Sequence, residues 1–211
     1  MQTFIPYPAP QSFESLISEL QLDSENHNQK NLNILTSEKI YGTPGAFCFN
    51  KTTDYWIQDK TKIIDYDCDI SSFVQSKLKH FKHIVQKLAK IYEIDLSSNT
   101  ISLFFELTSE DNNNPRAFIF QYFIVSNLDG SNNRLLYFPE DFACPTQNIF
   151  RVPVLFALYL NHLDISSKKY VSIFEKTSQD IRDNSLYPKR DTNKVFFGTF
   201  FYLGTLYIFQ E

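Results

Sequence analysis

Between Ile70 and Tyr92 this 211-residue chain carries Lys77, Lys79, Lys82, Lys87 and Lys90 and no acidic residue. That is +5 inside a chain whose net charge is −4, which leaves −9 for the remainder. At 100° per residue, Lys79, His83 and Lys90 fall on one line along a helix, flanked by Lys82, Lys87 and His80. A row of cations of this kind suits the phosphates of RNA or DNA, anionic lipid, or an acidic protein surface. The competing account is a solvated helix face balanced by acids elsewhere in the chain. No arginine accompanies the lysines, so bidentate recognition of phosphate is not available to them.

Other residues of chemical interest carry weaker spacing. Asp65, Asp67 and Asp69 form D-x-D-x-D directly before the lysine segment. In extended backbone they would share a face that suits a hard cation, but Ile70 and Ser76 stand where a calcium loop needs Gly and Glu. Capping by Asp69 or Ser71 at a helix N-terminus is the simpler role for this segment. His80 and His83 are three apart, yet Cys48 and Cys68 lie too far from them in sequence to give the short paired loops of a structural zinc module. Cys144, in a loop before an apolar run, would be a nucleophile if His162 served as its base; its neighbours Phe142, Ala143 and Pro145 equally suit a small buried thiol. The pairs Glu106/Glu110 and Glu140/Asp141 have no spacing that specifies acid–base work. There is no G-x-G-x-x-G, no phosphate-binding G-x-x-x-x-G-K-[ST], no G-x-S-x-G and no H-E-x-x-H, and Gly42–Gly45 reads as a turn. No cofactor is expected.

The elements that must position these residues follow from periodicity and turn chemistry. After Pro6, Pro8 and Pro10, Ser12 is set to cap a helix over about 12–22, with a polar and mobile connection expected over about 23–33. AFCFN, YWIQ and TKIIDY within 46–66 read as a meander. Val74, Leu78, Phe81, Val85, Leu88 and Tyr92, widened by Ile84 and Ile91, predict one long amphipathic helix over about 70–92. TISLFFEL, AFIFQYFIV and RLLYF read as a second meander, whose middle strand is apolar on both sides and so central. The run after Pro153 is expected to be a helix to about Leu163, and Ser166 to open another with Tyr170, Val171, Phe174, Ser178 and Ile181 on one face. Residues 194–210 read as one long strand or as two bent near Gly204; their many aromatics mark a core strand, or else a partner surface or apolar pocket wall.

These elements specify an α+β fold: a single domain over 1–211, with a mainly antiparallel sheet packed against the long helix and two C-terminal helices. Apolar residues at 43% and aromatics at 16% are enough for a real core, which excludes global disorder. Cys48, Cys68 and Cys144 are few and widely spaced, as thiols of a reducing, cytoplasmic compartment would be, and the single sequon Asn50-Lys51-Thr52 does not change that expectation. No signal peptide is expected, because the N-terminal MQTFIPYPAPQSFE has no basic region followed by a long apolar run, and no membrane span, because 152–160 and the C-terminal apolar run are both too short. The function expected is non-enzymatic docking to a macromolecule through Lys79, Lys82, His83, Lys87 and Lys90, with a protein or a second copy of the chain as partner and nucleic acid as the weaker option. An enzyme using Cys144 or the Asp65/Asp67/Asp69 cluster, and a carrier of a small apolar ligand, are the alternatives.

Overall fold

The fold is α+β with extensive antiparallel pairing. In a computed structural model of the chain, the described residues are 2–26, 32–38, 42–65, 67–108, 117–139, 142–144, 149–151, 156–160, 172–173, 176–177, 180, 197–202 and 205–210. In chain order the elements are β1 (Gln11–Ser12), α1 (Phe13–Asn26), β2 (Leu32–Glu38), β3 (Thr43–Asn50), β4 (Asp54–Gln58), α2 (Asp69–Ser76) and α3 (Leu78–Ile91). They continue with β5 (Asn99–Leu107), β6 (Phe118–Asn127), β7 (Arg134–Leu136), β8 (Ile149–Arg151), β9 (Phe156–Leu160), β10 (Phe197–Tyr202) and β11 (Thr205–Gln210). Contacts gather into two compact units, Met1–Tyr7 with Tyr41–Val152 and Pro8–Ile40 with Pro153–Glu211.

The first unit holds a sheet in the order β4-β3-β5-β6-β7, with β8 beside β6 in parallel. Its meanders form because the turns are built from side chains that satisfy the backbone. Asn50 Oδ1 accepts from Thr52 N and Thr53 N. Asp59, Asp95 and Asp129 accept in the same manner from Thr61, Ser97 and Ser131 two residues on. Gly130, at φ +81°, and Asn132, at φ 54°, are the left-handed residues of the β6–β7 turn. TKIIDY does not become a strand and contributes only an isolated bridge between Ile63 and Gln58.

β6 lies inside the sheet and is buried along both faces. Its register with β5 shifts at Phe104/Phe105: Phe104 pairs with Tyr122 and Phe105 with Phe120, which makes Gln121 the extra residue of a bulge. Phe118 and Phe120 before the bulge, and Phe123 and Val125 after it, therefore join one core with Phe47, Phe49, Ile101, Leu103 and Phe105.

The apolar stripe expected for one helix is carried by α2 and α3, parted at Lys77 (φ −119°, ψ 11°). There Lys77 N bonds back to the Val74 carbonyl, an i−3 closure that ends α2. Val74, Phe81, Ile84, Val85 and Leu88 are fully buried against the sheet core. Ile91 does not widen that face: it is 46% exposed.

The second unit orders its sheet β1-β11-β10-β2-β9. β10 and β11 pair antiparallel from Phe197↔Gln210 to Tyr202↔Thr205, so 194–210 contains two strands rather than one. β1 joins β11 in parallel, and β2 lies between β10 and β9. Ser12 Oγ accepts from Ser15 N at 3.2 Å and caps α1, which runs past the expected end through residues 23–26. The connection placed at 23–33 is thus partly helix and partly the start of β2, with 27–31 outside the described residues. The run after Pro153 is also corrected. It forms strand β9 against β2, because its short apolar stretch has no polar face to give it a helical period. Within the expected helix from Ser166, residues 172, 173, 176, 177 and 180 are helical, and the others lie outside the described residues.

The close approach of β3 to β5 gives a direct test. Gly45 sits opposite Phe105, and a Cβ there would lie 2.6 Å from Phe105 Cζ. Phe105 cannot swing aside, since it is wedged against Phe118 and Phe81 at 4.8 and 6.1 Å between ring centroids. Gly45→Ala is expected to cost about 1–3 kcal/mol as an overpacked core does, read as a lower urea midpoint with an unchanged slope.

Candidate functional site

The outer surface of α3 is set by how its inner surface is held. Phe81 packs against Phe47, Phe118 and Phe120 at 5.0, 4.9 and 5.5 Å, which fixes the rotation of the helix about its axis. With Phe81 inward, Lys79, His83, Gln86 and Lys90 are all exposed on one line. Lys90 also lies in the last turn, where the helix dipole favours a cation.

Two of the expected site lysines are engaged within the first unit instead. Lys82 Nζ lies 2.7 and 2.8 Å from the two carboxylate oxygens of Asp54 and over the rings of Tyr55 and Phe49, at 5.3 and 5.6 Å. Asp54 is presented by the β3–β4 turn in a left-handed conformation (φ 69°). Lys87 Nζ sits 4.4 Å above the Phe142 ring on the other flank of the helix. Lys82 and Lys87 are thus clamps on either side of α3. Among the described residues, Lys79, His83 and Lys90 have no ion-pair partner. Between the row and the Lys82 clamp lies a shallow depression of about 580 Å³ lined by Leu78, Lys79, Lys82, His83 and Gln86. Neither Asp54 nor Phe142 carries a sequence signal for these roles; both are brought to the helix by folding.

Asp65, Asp67 and Asp69 are exposed. No three His, Cys, Asp or Glu side chains among the described residues are placed to hold a metal ion. The N-cap of α2 is Cys68, not Asp69 or Ser71: its sulfur accepts from Ser71 N at 3.4 Å, while Ser71 Oγ donates to the Asp65 carbonyl at 2.8 Å. Cys144 is half-buried and packed against the sheet core, and His162 lies outside the described residues. Asn50 of the sequon is buried, with its amide donating to Thr100 Oγ1 at 3.0 Å, so the folded chain offers no free acceptor nitrogen there.

The face of this sheet turned away from α3 carries a polar group that sequence reasoning missed. Gln58 pairs through its side chain with the backbone of Ile5, accepting from Ile5 N at 3.0 Å and donating to Ile5 O at 2.5 Å. The Cys48 thiol donates to the same Gln58 oxygen at 3.6 Å. Tyr7 packs edge-on against Phe104 at 4.5 Å, and burial, with Tyr122 and Glu106 nearby, pushes its hydroxyl well above the ordinary tyrosine value. Tyr7 Oη, Trp56 Nε1 and Ser126 Oγ are buried without a hydrogen-bond partner among the described residues. The signal for this face was present in the alternation of Cys48, Asn50, Thr100 and Ser102 with the large apolar residues.

No protein-family model matches the chain, and no curated protein matches it significantly.

Burial pushes the Cys48 thiol from 9.0 up to about 12, against a smaller pull from Ser102 opposite it. Between those values the unfolded chain releases a proton that the folded chain keeps, so stability falls as pH rises above 9. Thermal melts are therefore expected to move downward from pH 9 toward 11. Mass spectrometry after native alkylation should find Cys48 unmodified until the chain unfolds, since its thiolate is disfavoured and its sulfur is enclosed.

Proposed function

We propose that this chain is a non-enzymatic binding protein that docks a macromolecular partner through the outer face of α3, acting as one α+β domain in a reducing, cytoplasmic setting. The observation that carries this reading is the division of labour among the cations. Lys82 and Lys87 hold the helix in place, whereas Lys79, His83 and Lys90 stand exposed in a row with no ion-pair partner among the described residues. A helix whose neighbours fix it by clamps and a packed Phe81 presents those charges in one geometry, which lowers the ordering cost of binding. An acidic surface is the complement such a row selects, since like-signed partners would be repelled. Free thiols at Cys48, Cys68 and Cys144 accord with the reducing setting.

For the triple-aspartate reading, no three His, Cys, Asp or Glu side chains among the described residues are placed to hold a metal ion.

Retention on an immobilised polyanion such as heparin tests the basic face. Lys79→Glu with Lys90→Glu is expected to remove retention while leaving the melting curve within about 1 kcal/mol of the parent, as surface substitutions do. Neutralising either lysine alone should lower the salt dependence of binding by roughly one unit of slope, in the manner of a lost charge contact. Retention that is unchanged in the double variant would refute this face as the docking surface.

A further inference from the structure

The first unit is assembled from two separate stretches of chain: Met1–Tyr7 packs with the Tyr41–Val152 body, although Pro8–Ile40 between them belongs to the second unit. Within the short stretch Gln2 and Pro6 are exposed, Ile5 is fully buried, and Thr3 and Tyr7 are half-buried. Thr3, Ile5 and Tyr7 each meet the body, at the two-residue period of an extended peptide. Thr3 Oγ1 donates to the Leu128 carbonyl at 3.2 Å, and the Tyr7 ring stands edge-on to Phe104 at 4.5 Å. Gly130 leaves room for the other two side chains, since a Cβ there would lie 2.7 Å from Thr3 Cγ2 and 3.5 Å from Ile5 Cδ1. The body receives the backbone of this stretch with a side chain, where a further strand would otherwise be. Gln58, fully buried at the end of β4, accepts from Ile5 N at 3.0 Å and donates to Ile5 O at 2.5 Å. The Cys48 thiol of β3 donates to the same Gln58 oxygen at 3.6 Å, which fixes the sense of the amide. One planar amide thus reads both polar groups of one residue, and it reads them whatever side chain that residue carries. Pro6 and Pro8 bias Ile5 and Tyr7 before them toward extended backbone, so little freedom is lost when the stretch is held.

We propose that the Tyr41–Val152 body is a receptor for an extended peptide of the pattern small–x–aliphatic–Pro–aromatic. The chain's own Thr3–Tyr7 occupies this site in cis, and an exposed segment of the same chemistry on a partner protein takes its place. The division of labour is that of peptides added to a sheet: main-chain hydrogen bonds give affinity, and alternate side chains give specificity. The buried Ile5 position is the anchor. Tyr7 Oη is buried without a hydrogen-bond partner among the described residues, so phenylalanine at that position fits at least as well as tyrosine. Because the cis segment is tethered, it competes at an effective concentration of about a millimolar. The site is therefore held closed against weak ligands and opens to a partner once the segment is withdrawn. It shares no residue with the α3 row and does not depend on that row's role.

Ile5→Asp in the full chain sets a charge at the buried anchor and should empty the site. A fluorescein-labelled peptide of residues 2–8, QTFIPYP, is the probe. Fluorescence anisotropy should show it binding the Ile5→Asp chain about tenfold or more tightly than the parent, whose own segment competes. The same peptide carrying Ile5→Asp should not bind, and the peptide carrying Tyr7→Phe should bind at least as tightly as the original. Adding Gln58→Ala to the Ile5→Asp chain should weaken binding about tenfold, since both hydrogen bonds to the peptide backbone are lost. A second measurement needs no variant: in the parent, about 2 mM peptide should speed hydrogen exchange at the Ile5 amide as the cis segment is displaced. Three results would each overturn the proposal: a folded Ile5→Asp chain that does not bind the peptide, binding that is indifferent to Gln58→Ala, or Ile5 exchange in the parent that the peptide leaves unchanged.

Discussion

The placement of Phe81 governs the functional surface of this chain. Its ring meets Phe47 of β3, Phe105 of β5 and Phe118 and Phe120 of β6, so one side chain ties α3 to three neighbouring strands. An aromatic ring packed among four others, edge-on to three of them and tilted against Phe47, has few acceptable orientations. The rotation of α3 is therefore settled inside the core, and the direction of every lysine on it follows. The Lys82–Asp54 and Lys87–Phe142 contacts act in the same sense from the two flanks. Exposed pairs of this kind add little stability by themselves. Their effect here is geometric: they restrain a surface that the core has already oriented.

Much of this was legible wherever one residue type has one physical use. The four-three-four recurrence of Val74, Leu78, Phe81, Val85, Leu88 and Tyr92 marks a buried helical stripe; all are fully enclosed except half-buried Leu78 and Tyr92, which caps the helix and is exposed. Asp129-Gly130 and Asp59-Lys60 mark turns because an aspartate can bond its own chain two residues on, and both do so. The lysine row was legible for the same reason, since its members are exposed by elimination once the stripe is buried. What could not be read depended on partners distant in sequence. Asp54 and Phe142 are 28 and 55 positions from the lysines they hold, and nothing local distinguishes them. The break at Lys77 was hidden because no Pro or Gly announces it. β9 was read as a helix because a short apolar run without alternation suits either state until a partner strand decides it.

The sheet of the first unit has two different interiors. The side toward α2 and α3 is nearly all phenylalanine and aliphatic, with rings in contact from Phe47 through Phe138 to Phe142. The opposite side mixes Gln58, Asn50, Thr100 and Ser126 with Trp56, Phe104 and Tyr122, and the lead-in at Ile5 bonds to Gln58 as an added strand would. Buried polar groups cost stability unless paired, and they also permit fewer alternative arrangements than an oily face does. The first interior supplies most of the burial, and the second fixes what may lie against it.

The bulge in β6 makes the length of that strand as informative as its composition. Because Gln121 is the one surplus residue, Phe118 and Phe120 share a side with Phe123 and Val125. Strict alternation through all ten residues would turn the second half over, exchanging Phe123 and Val125 for Tyr122 and Ile124 beneath α3, whereas removal of Gln121 itself would leave both halves on their present faces. The bulge thus absorbs an odd residue that the hydrophobic pattern of β6 could not otherwise accommodate, and a strand one residue shorter would present the same core side chains without it.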